Sequence, residues 1–202
     1  MRTTRAPHPR GQTWATFLHN HVADVWACDV LPVIDLGFRS IFAFFIVDLG
    51  SRRVVHVGVT RHPTNAWVAP QLREATPFGR GPRFLIRDND AKFGLQFARV
   101  AAGSRIKVLR TPVRTPQANA ICERFLGRVR RECLDHLLIR HERQLYRVLR
   151  AYCAYVNQAR PHQGIGQALP ATAGQATTVH AGASIVSVPI LGSLHHDYQR
   201  AA

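Results

Sequence analysis

Val25-Trp26-Ala27-Cys28-Asp29-Val30-Leu31 is an apolar run with the texture of a buried strand, and a single carboxylate interrupts its middle. An ionised carboxylate in that setting costs free energy unless a cation or strong hydrogen bonds compensate it. The stretch is therefore both the expected first strand of a core and the first place to look for chemistry.

Working outward, apolar runs span Val25 to Ile34, Ile41 to Leu49 and Arg53 to Thr60. Gly50-Ser51-Arg52 separates the last two as a turn, so an antiparallel three-strand meander is expected. Thr64 or Asn65 would cap a helix over Ala66 to Ala75, and a Gly/Pro-rich link from Thr76 to Pro82 leads to a compact strand, Arg83 to Arg87. A helix from Lys92 to Ala102 ends at Gly103, and a short strand follows at Ile106 to Leu109. The prolines between Thr111 and Pro116 forbid helix there. Two long helical patterns follow, Ala118 to Leu138 and Glu142 to Asn157, and beyond Pro161 only Ser184 to Leu191 reads as a strand. The order is that of an α/β domain with a mixed sheet covered by helices. We divide the chain into a basic lead-in at 1–24, a core at 25–160 and a Gly/Ala/Pro-rich tail at 161–202.

The 202 residues, 46% hydrophobic and 19% charged, suit one sizeable core. The net charge of +15 comes from 27 basic residues, of which only Lys92 and Lys107 are lysines, against 12 acids. A GC-rich genome inflates Arg, Ala, Gly and Pro, but it does not explain the shortage of acids, and the balance favours a polyanionic partner. No apolar run is long enough to span a membrane, and the N-terminus lacks the apolar segment of a secretory signal. Cys28, Cys122, Cys133 and Cys153 have no CxxC spacing and read as reduced core thiols and not as a zinc site.

With so few acids, those in costly positions stand out. Asp29 is in the first strand, and Asp88 follows Phe84-Leu85-Ile86 at the strand's C-terminal end, where open α/β sheets hold ligands. On the long helix, Cys122, Leu126, Val129, Cys133 and Leu137 form an apolar arc, with Glu123 and Arg130 together on its rim and Arg124, Arg128 and Arg131 on the polar side. Three such acids converge most readily around a strong cation. Two-metal catalysis at phosphodiesters needs that arrangement, with ions roughly 4 Å apart, and carboxylate oxygens suit Mg²⁺ or Mn²⁺. The alternative is that each acid is satisfied by structural partners. Asp48 also ends an apolar strand and is a rival to Asp29, although Gly50 marks it as a turn residue.

Asp29, the segment Ile86-Arg87-Asp88-Asn89-Asp90-Ala91-Lys92-Phe93, and Pro116-Gln117-Ala118-Asn119-Ala120-Ile121-Cys122-Glu123-Arg124 resemble the DDE catalytic core of retroviral-type integrases and bacterial insertion-sequence transposases. The 34 residues between Asp88 and Glu123 match that family's spacing, and Arg130 to His136 and Asn157 to His162 resemble its later segments. The resemblance covers about residues 12 to 170. It implies a ribonuclease H-like fold: a five-stranded mixed sheet, antiparallel meander plus βαβ-type strands, flanked by helices. It further implies Asp29, Asp88 and Glu123 as catalytic and metal-holding residues, two Mg²⁺ (or Mn²⁺) ions, DNA as partner, a homo-oligomer on DNA and a bacterial, cytoplasmic, nucleoid-associated setting. Insertion-sequence transposases usually carry a helix-turn-helix ahead of the core, and about 25 residues precede Asp29 here, so a separate helix-turn-helix subunit is an expected partner.

By the same resemblance Arg130 would approach DNA phosphates, joined by Arg131, Arg124, Asn119 and Arg114 as DNA-binding residues. Asn119 also suits a helix cap. Family members often have Gly where this chain has Asp90, which either adds a carboxylate near the metals or, as we expect, caps the next helix. Between Arg105 and Arg150, 12 basic residues face four acids, the texture of a phosphate-tracking surface. His162 reads as a packing or turn residue or a DNA contact, His195 and His196 lack spaced partners for a metal, and Trp14, Trp26 and Trp67 read as core or near-core. Two other readings remain open: a fragment that binds DNA or a partner subunit without catalysing transfer, and a cellular nuclease acting on RNA–DNA hybrids.

Overall fold

The computed structural model describes residues 12–77, 81–111, 119–172 and 184–201. A short helix α1, Trp14–His21, leads into β1, Val25–Ile34. Then come β2, Ser40–Asp48, β3, Val54–Thr60, and α2, Asn65–Ala75. Strand β4, Phe84–Arg87, helix α3, Leu95–Gly103, and strand β5, Lys107–Arg110, precede the two long helices α4, Ala120–Glu132, and α5, Glu142–Gln158. A hairpin of β6, Ile185–Ile190, and β7, His195–Arg200, lies near the C-terminus.

The first five strands form one sheet in the order β3-β2-β1-β4-β5. β1 pairs antiparallel with β2 and β2 antiparallel with β3, whereas β1–β4 and β4–β5 are parallel. This is the five-stranded mixed sheet expected of a ribonuclease H-like fold. Side chains alternate between two packed layers. Val25, Ala27, Leu31 and Val33 of β1 pack with Phe45 and Val47 of β2 under α4 and α5, while Cys28, Phe44, Ile46 and Leu85 face α2 and α3. Trp14, Trp26 and Trp67 are partly buried against these cores, and all four cysteines are buried free thiols. Among the described residues no helix is long and apolar enough to cross a membrane.

Local chemistry moves several boundaries from their expected places. α3 starts at Leu95 and not at Lys92, because Asp90 accepts from the Lys92 N–H (3.0 Å) and its carbonyl from the Phe93 N–H (3.2 Å), holding a turn ahead of the helix. Asp90 is therefore not the helix cap; Gly94 occupies that position. α4 stops at Glu132, where Cys133 leaves helical geometry (φ −130°, ψ −62°) and a single 3₁₀ turn over Leu134–His136 carries the rest of the apolar pattern. Helix α1 and strand β7 escaped the sequence reading. α1 has only eight residues and no buried ones, and β7, His195-His196-Asp197-Tyr198-Gln199-Arg200, lacks an apolar alternation.

Asn157 ties α5 to the sheet edge. Its side-chain amide donates to the Val54 carbonyl and its oxygen accepts from the Val54 N–H, both at 2.9 Å, so one side chain supplies the pairing of a missing strand residue. At the far end of α4, Glu132 accepts from the Tyr152 hydroxyl at 2.9 Å and pairs with both terminal nitrogens of Arg160. Asn157 and Arg160 thus anchor the chain that runs on to His162.

Candidate functional site

β1 and β4 run side by side with Ala27 opposite Ile86, both under α4. Two residues further along each chain, on the same side by the period-two alternation, come Asp29 and Asp88. Across the other ladder Asp29 pairs with Phe45, whose ring meets Phe125 of α4 edge-on at 5.4 Å. That aromatic contact seats the first turn of α4, which carries Glu123, over the same part of the sheet. Asp29 and Asp88 are half-buried and Glu123 is exposed. The expectation for Glu123 was a rim position beside the core. Its neighbours Cys122 and Phe125 are in the core, but its own carboxylate faces outward.

Electrostatics link the three. Asp29 is raised from 3.8 to about 6, first by burial, with the Asp88 and Glu123 charges adding to it; the Val30 N–H, 2.7 Å from Oδ1, and Lys92 oppose the rise. Burial pushes the Cys28 and Cys122 thiols well up, and the surrounding carboxylates push the same way. Those thiols stay protonated, so the donors on offer are hard carboxylate oxygens, which suit Mg²⁺ or Mn²⁺. Among the described residues no three His, Cys, Asp or Glu side chains are gathered tightly enough to form a ready ligand cluster.

The second acid sits in a braced loop. Arg87 is buried, donates from Nη1 to the Asp88 carbonyl at 2.8 Å and lies over the Phe93 ring, 5.3 Å from its centroid. Lys92 Nζ lies 2.7 Å from Asp90 Oδ2. Burial raises Asp90, but the hydrogen bonds and charge of Lys92 outweigh it and leave the carboxyl below its ordinary value. Arg87 and Lys92 escaped the sequence reading, although the short Asp90-Ala91-Lys92 spacing was the available signal for the second.

The DNA-binding candidates divide. Arg124, Arg130 and Arg131 are exposed on α4. Arg130 donates to the Pro32 carbonyl of β1 at 3.1 Å, and Arg124 Nε to the Ala120 carbonyl at 3.1 Å. Asn119 stands at the N-cap position but its side chain caps nothing; it is 4% exposed with Oδ1 lacking a hydrogen-bond partner. The capping expectation is thus corrected, since the residue's φ of −115° and ψ of 9° do not match the extended backbone a capping side chain uses. Arg114 lies outside the described residues. Asp48, the rival first acid, accepts from the N–H groups of Gly50 (2.8 Å) and Ser51 (3.1 Å) and is committed to the β2–β3 turn.

Residues 104–170 match the family described as Integrase core domain. A protein of insertion element IS476 from Xanthomonas euvesicatoria, described as uncharacterized and of 39.2 kDa, is 27% identical over 168 residues, covering 83% of this chain and 49% of the relative. The chain thus spans about half the length of that relative. Among solved structures, the simian T-cell lymphotropic virus intasome aligns over 88% of this chain and 66% of its own, with a TM-score of 0.65 at 12% identity. The catalytic core of HTLV-2 integrase in complex with magnesium aligns over 75% and 95% (TM-score 0.59, 15% identity), and that of BIV integrase over 74% and 91% (0.55, 17%). At these identities the structural likenesses speak for the fold. Taken with the sequence match over residues 104–170 and the insertion-element relative, they make this chain similar to the integrase core domains.

Proposed function

We propose that the chain is the catalytic core of a metal-dependent DNA strand-transfer enzyme, a polynucleotidyl transferase of a mobile element. The observation that carries the reading is Asp29, held near pH 6 by burial with the charges of Asp88 and Glu123 bearing on it at one end of adjacent parallel strands. A half-buried group of like charges is costly in isolation, and divalent cations are the natural compensation. Asp29, Asp88 and Glu123 would hold two Mg²⁺ or Mn²⁺ ions. When bound, such ions lower the pKa of an attacking oxygen and stabilise the leaving oxygen at a phosphodiester.

The chain's own residues orient the reacting strands and hold their charge. The reaction is hydrolysis at a DNA 3′ end, followed by attack of the freed 3′ hydroxyl on a target phosphodiester. One phosphorus–oxygen bond forms as another breaks, with the departing 3′ oxygen taking a proton, so neither a covalent protein intermediate nor a nucleotide cofactor is required. Arg130 and Arg131 at the end of α4, with Arg124 and Arg114, would track the DNA backbone, whereas Asn119, buried at the start of α4, would not reach it. Assembly of several copies on DNA completes the reading.

A second reading is a core that binds DNA or a partner subunit without catalysing transfer. Incubation of the protein with Mg²⁺ and labelled duplex ends of the element, in the presence of plasmid target, separates the possibilities. Joined products support strand transfer. Binding without joining supports the second reading. Cleavage of an RNA–DNA hybrid with no joining at all would assign a ribonuclease instead.

A further inference from the structure

Helix α4 has two flanks, and Glu123 with Arg130 occupies one. On the other, Arg124, Phe125 and Arg128 face the β2–β3 turn and the segment after α5 across an open cavity of about 370 Å³. Arg52 enters from the turn, His162 closes one side, and Val156 of α5 joins Phe125 as apolar floor. The cavity is concave, cationic and apolar-floored.

Arg52 adopts φ 64°, the left-handed region that disfavours a bulky L-residue. Its Nε is buried without a hydrogen-bond partner. Burial and the charge of Arg124 push its pKa down, with only Asp48 acting the other way. Gly164 packs close by: a Cβ there would press on the His162 ring at 3.1 Å and reach ordinary contact, 3.5 Å, with Arg52 Nε. Burial, followed by Arg128, Arg52 and Arg160, keeps His162 below its ordinary pKa.

The nearby acids leave cation to spare. Glu132 is taken up by Arg160, with Arg128 Nε only at 3.9 Å, and Asp48 accepts from its own turn. Among the described residues neither Arg52 nor Arg124 is paired with a carboxylate. A half-buried, unpaired guanidinium beside two more is a poor way to stabilise a fold and a good way to bind a phosphate, which accepts several forked hydrogen bonds at once. The space exceeds what a phosphate alone needs, and Phe125 and Val156 offer apolar contact to a flat group attached to it.

We propose that this cavity is a nucleotide-phosphate site, in which Arg52, Arg124 and Arg128 hold the phosphate and the base or sugar lies on the apolar floor. The nucleotide is either free or one unit of a single DNA strand. The inference stands on residues other than Asp29, Asp88 and Glu123, shares only Arg124 with the DNA-tracking set, and has Arg52 as its distinguishing residue.

Titration of the full chain in divalent-free buffer tests it, using deoxyadenosine 5′-monophosphate, deoxyadenosine and a short single-stranded oligonucleotide. The phosphate-bearing probes should bind. Arg52→Gln and Arg124→Gln should weaken them roughly tenfold or more, the loss of a charge-assisted hydrogen bond. Arg99→Gln, exposed on α3, should leave binding unchanged. Arg52→Lys, which keeps the charge, should recover part of the loss and so separates binding from misfolding. Binding of the monophosphate assigns a free nucleotide as ligand, and binding of the oligonucleotide alone assigns the strand. Equal binding of deoxyadenosine and its monophosphate, no binding by either phosphate probe, or unchanged binding by Arg52→Gln would overturn the proposal.

Discussion

Asp29 is a half-buried carboxylate whose charged form the fold disfavours. Its folded pKa of about 6 exceeds the ordinary 3.8, so protonation favours the fold. That contribution is fully present below about pH 4 and is lost as pH rises through 6, leaving an ionised Asp29 that opposes folding at pH 8. Asp29→Asn should therefore stabilise the divalent-free protein at pH 8, by up to about 2 kcal/mol, and give no gain at pH 4. Urea midpoints at the two pH values check this, and a variant equally or less stable than wild type at pH 8 would contradict it. Asp29 was conspicuous in the sequence because a carboxylate inside an apolar strand has few innocent explanations. Arg87 and Lys92 were not, because basic residues beside a turn are ordinary until the structure shows one buried against Asp88 and the other paired with Asp90.

Elements carry the site through their ties to one another. Asn157 joins α5 to β3 through two hydrogen bonds to Val54, and Asn157→Ala leaves both backbone groups to find other partners. We expect a loss of about 1–3 kcal/mol in chemical denaturation, with Asn157→Asp less damaging than Ala only if the accepting half of the pair carries the tie. On α4, Arg130 and Arg131 should each contribute to DNA binding through phosphates. Arg130→Gln should lower the slope of log K against log salt by about 0.7–0.9, a uniform weakening across DNA sequences. An unchanged slope would leave Arg130 as a brace to Pro32 and nothing more. The strands of the meander were legible to within a residue because their apolar runs are long and punctuated by turn residues. The ends of α3 and α4 were not, since the Asp90 turn and the break at Cys133 arise from side-chain bonding and geometry that periodicity does not encode.

Across the whole molecule, the parallel junction of β1 and β4 and the helix laid over it bring acids far apart in sequence to one end of the sheet. The order of elements made that topology readable, because a meander followed by alternating helices and strands has few ways to pack. The opposite flank of α4 was not readable. Its cavity is assembled from the β2–β3 turn, α4 and the chain after α5, and nothing local in Gly50-Ser51-Arg52 announces a left-handed arginine. The excess of arginine thereby acquires two addresses, one beside the acids and one across the helix from them. Strand transfer as proposed requires Asp29, Asp88 and Glu123 to act as one unit. Its most direct measurement is Mg²⁺-dependent joining of a labelled 3′-hydroxyl DNA end to plasmid by wild type, Asp29→Asn, Asp88→Asn and Glu123→Gln, each verified as folded by circular dichroism. Every single variant should lose joining by on the order of 10³-fold while still binding DNA. Joining by wild type that persists undiminished in any one of the three would contradict it.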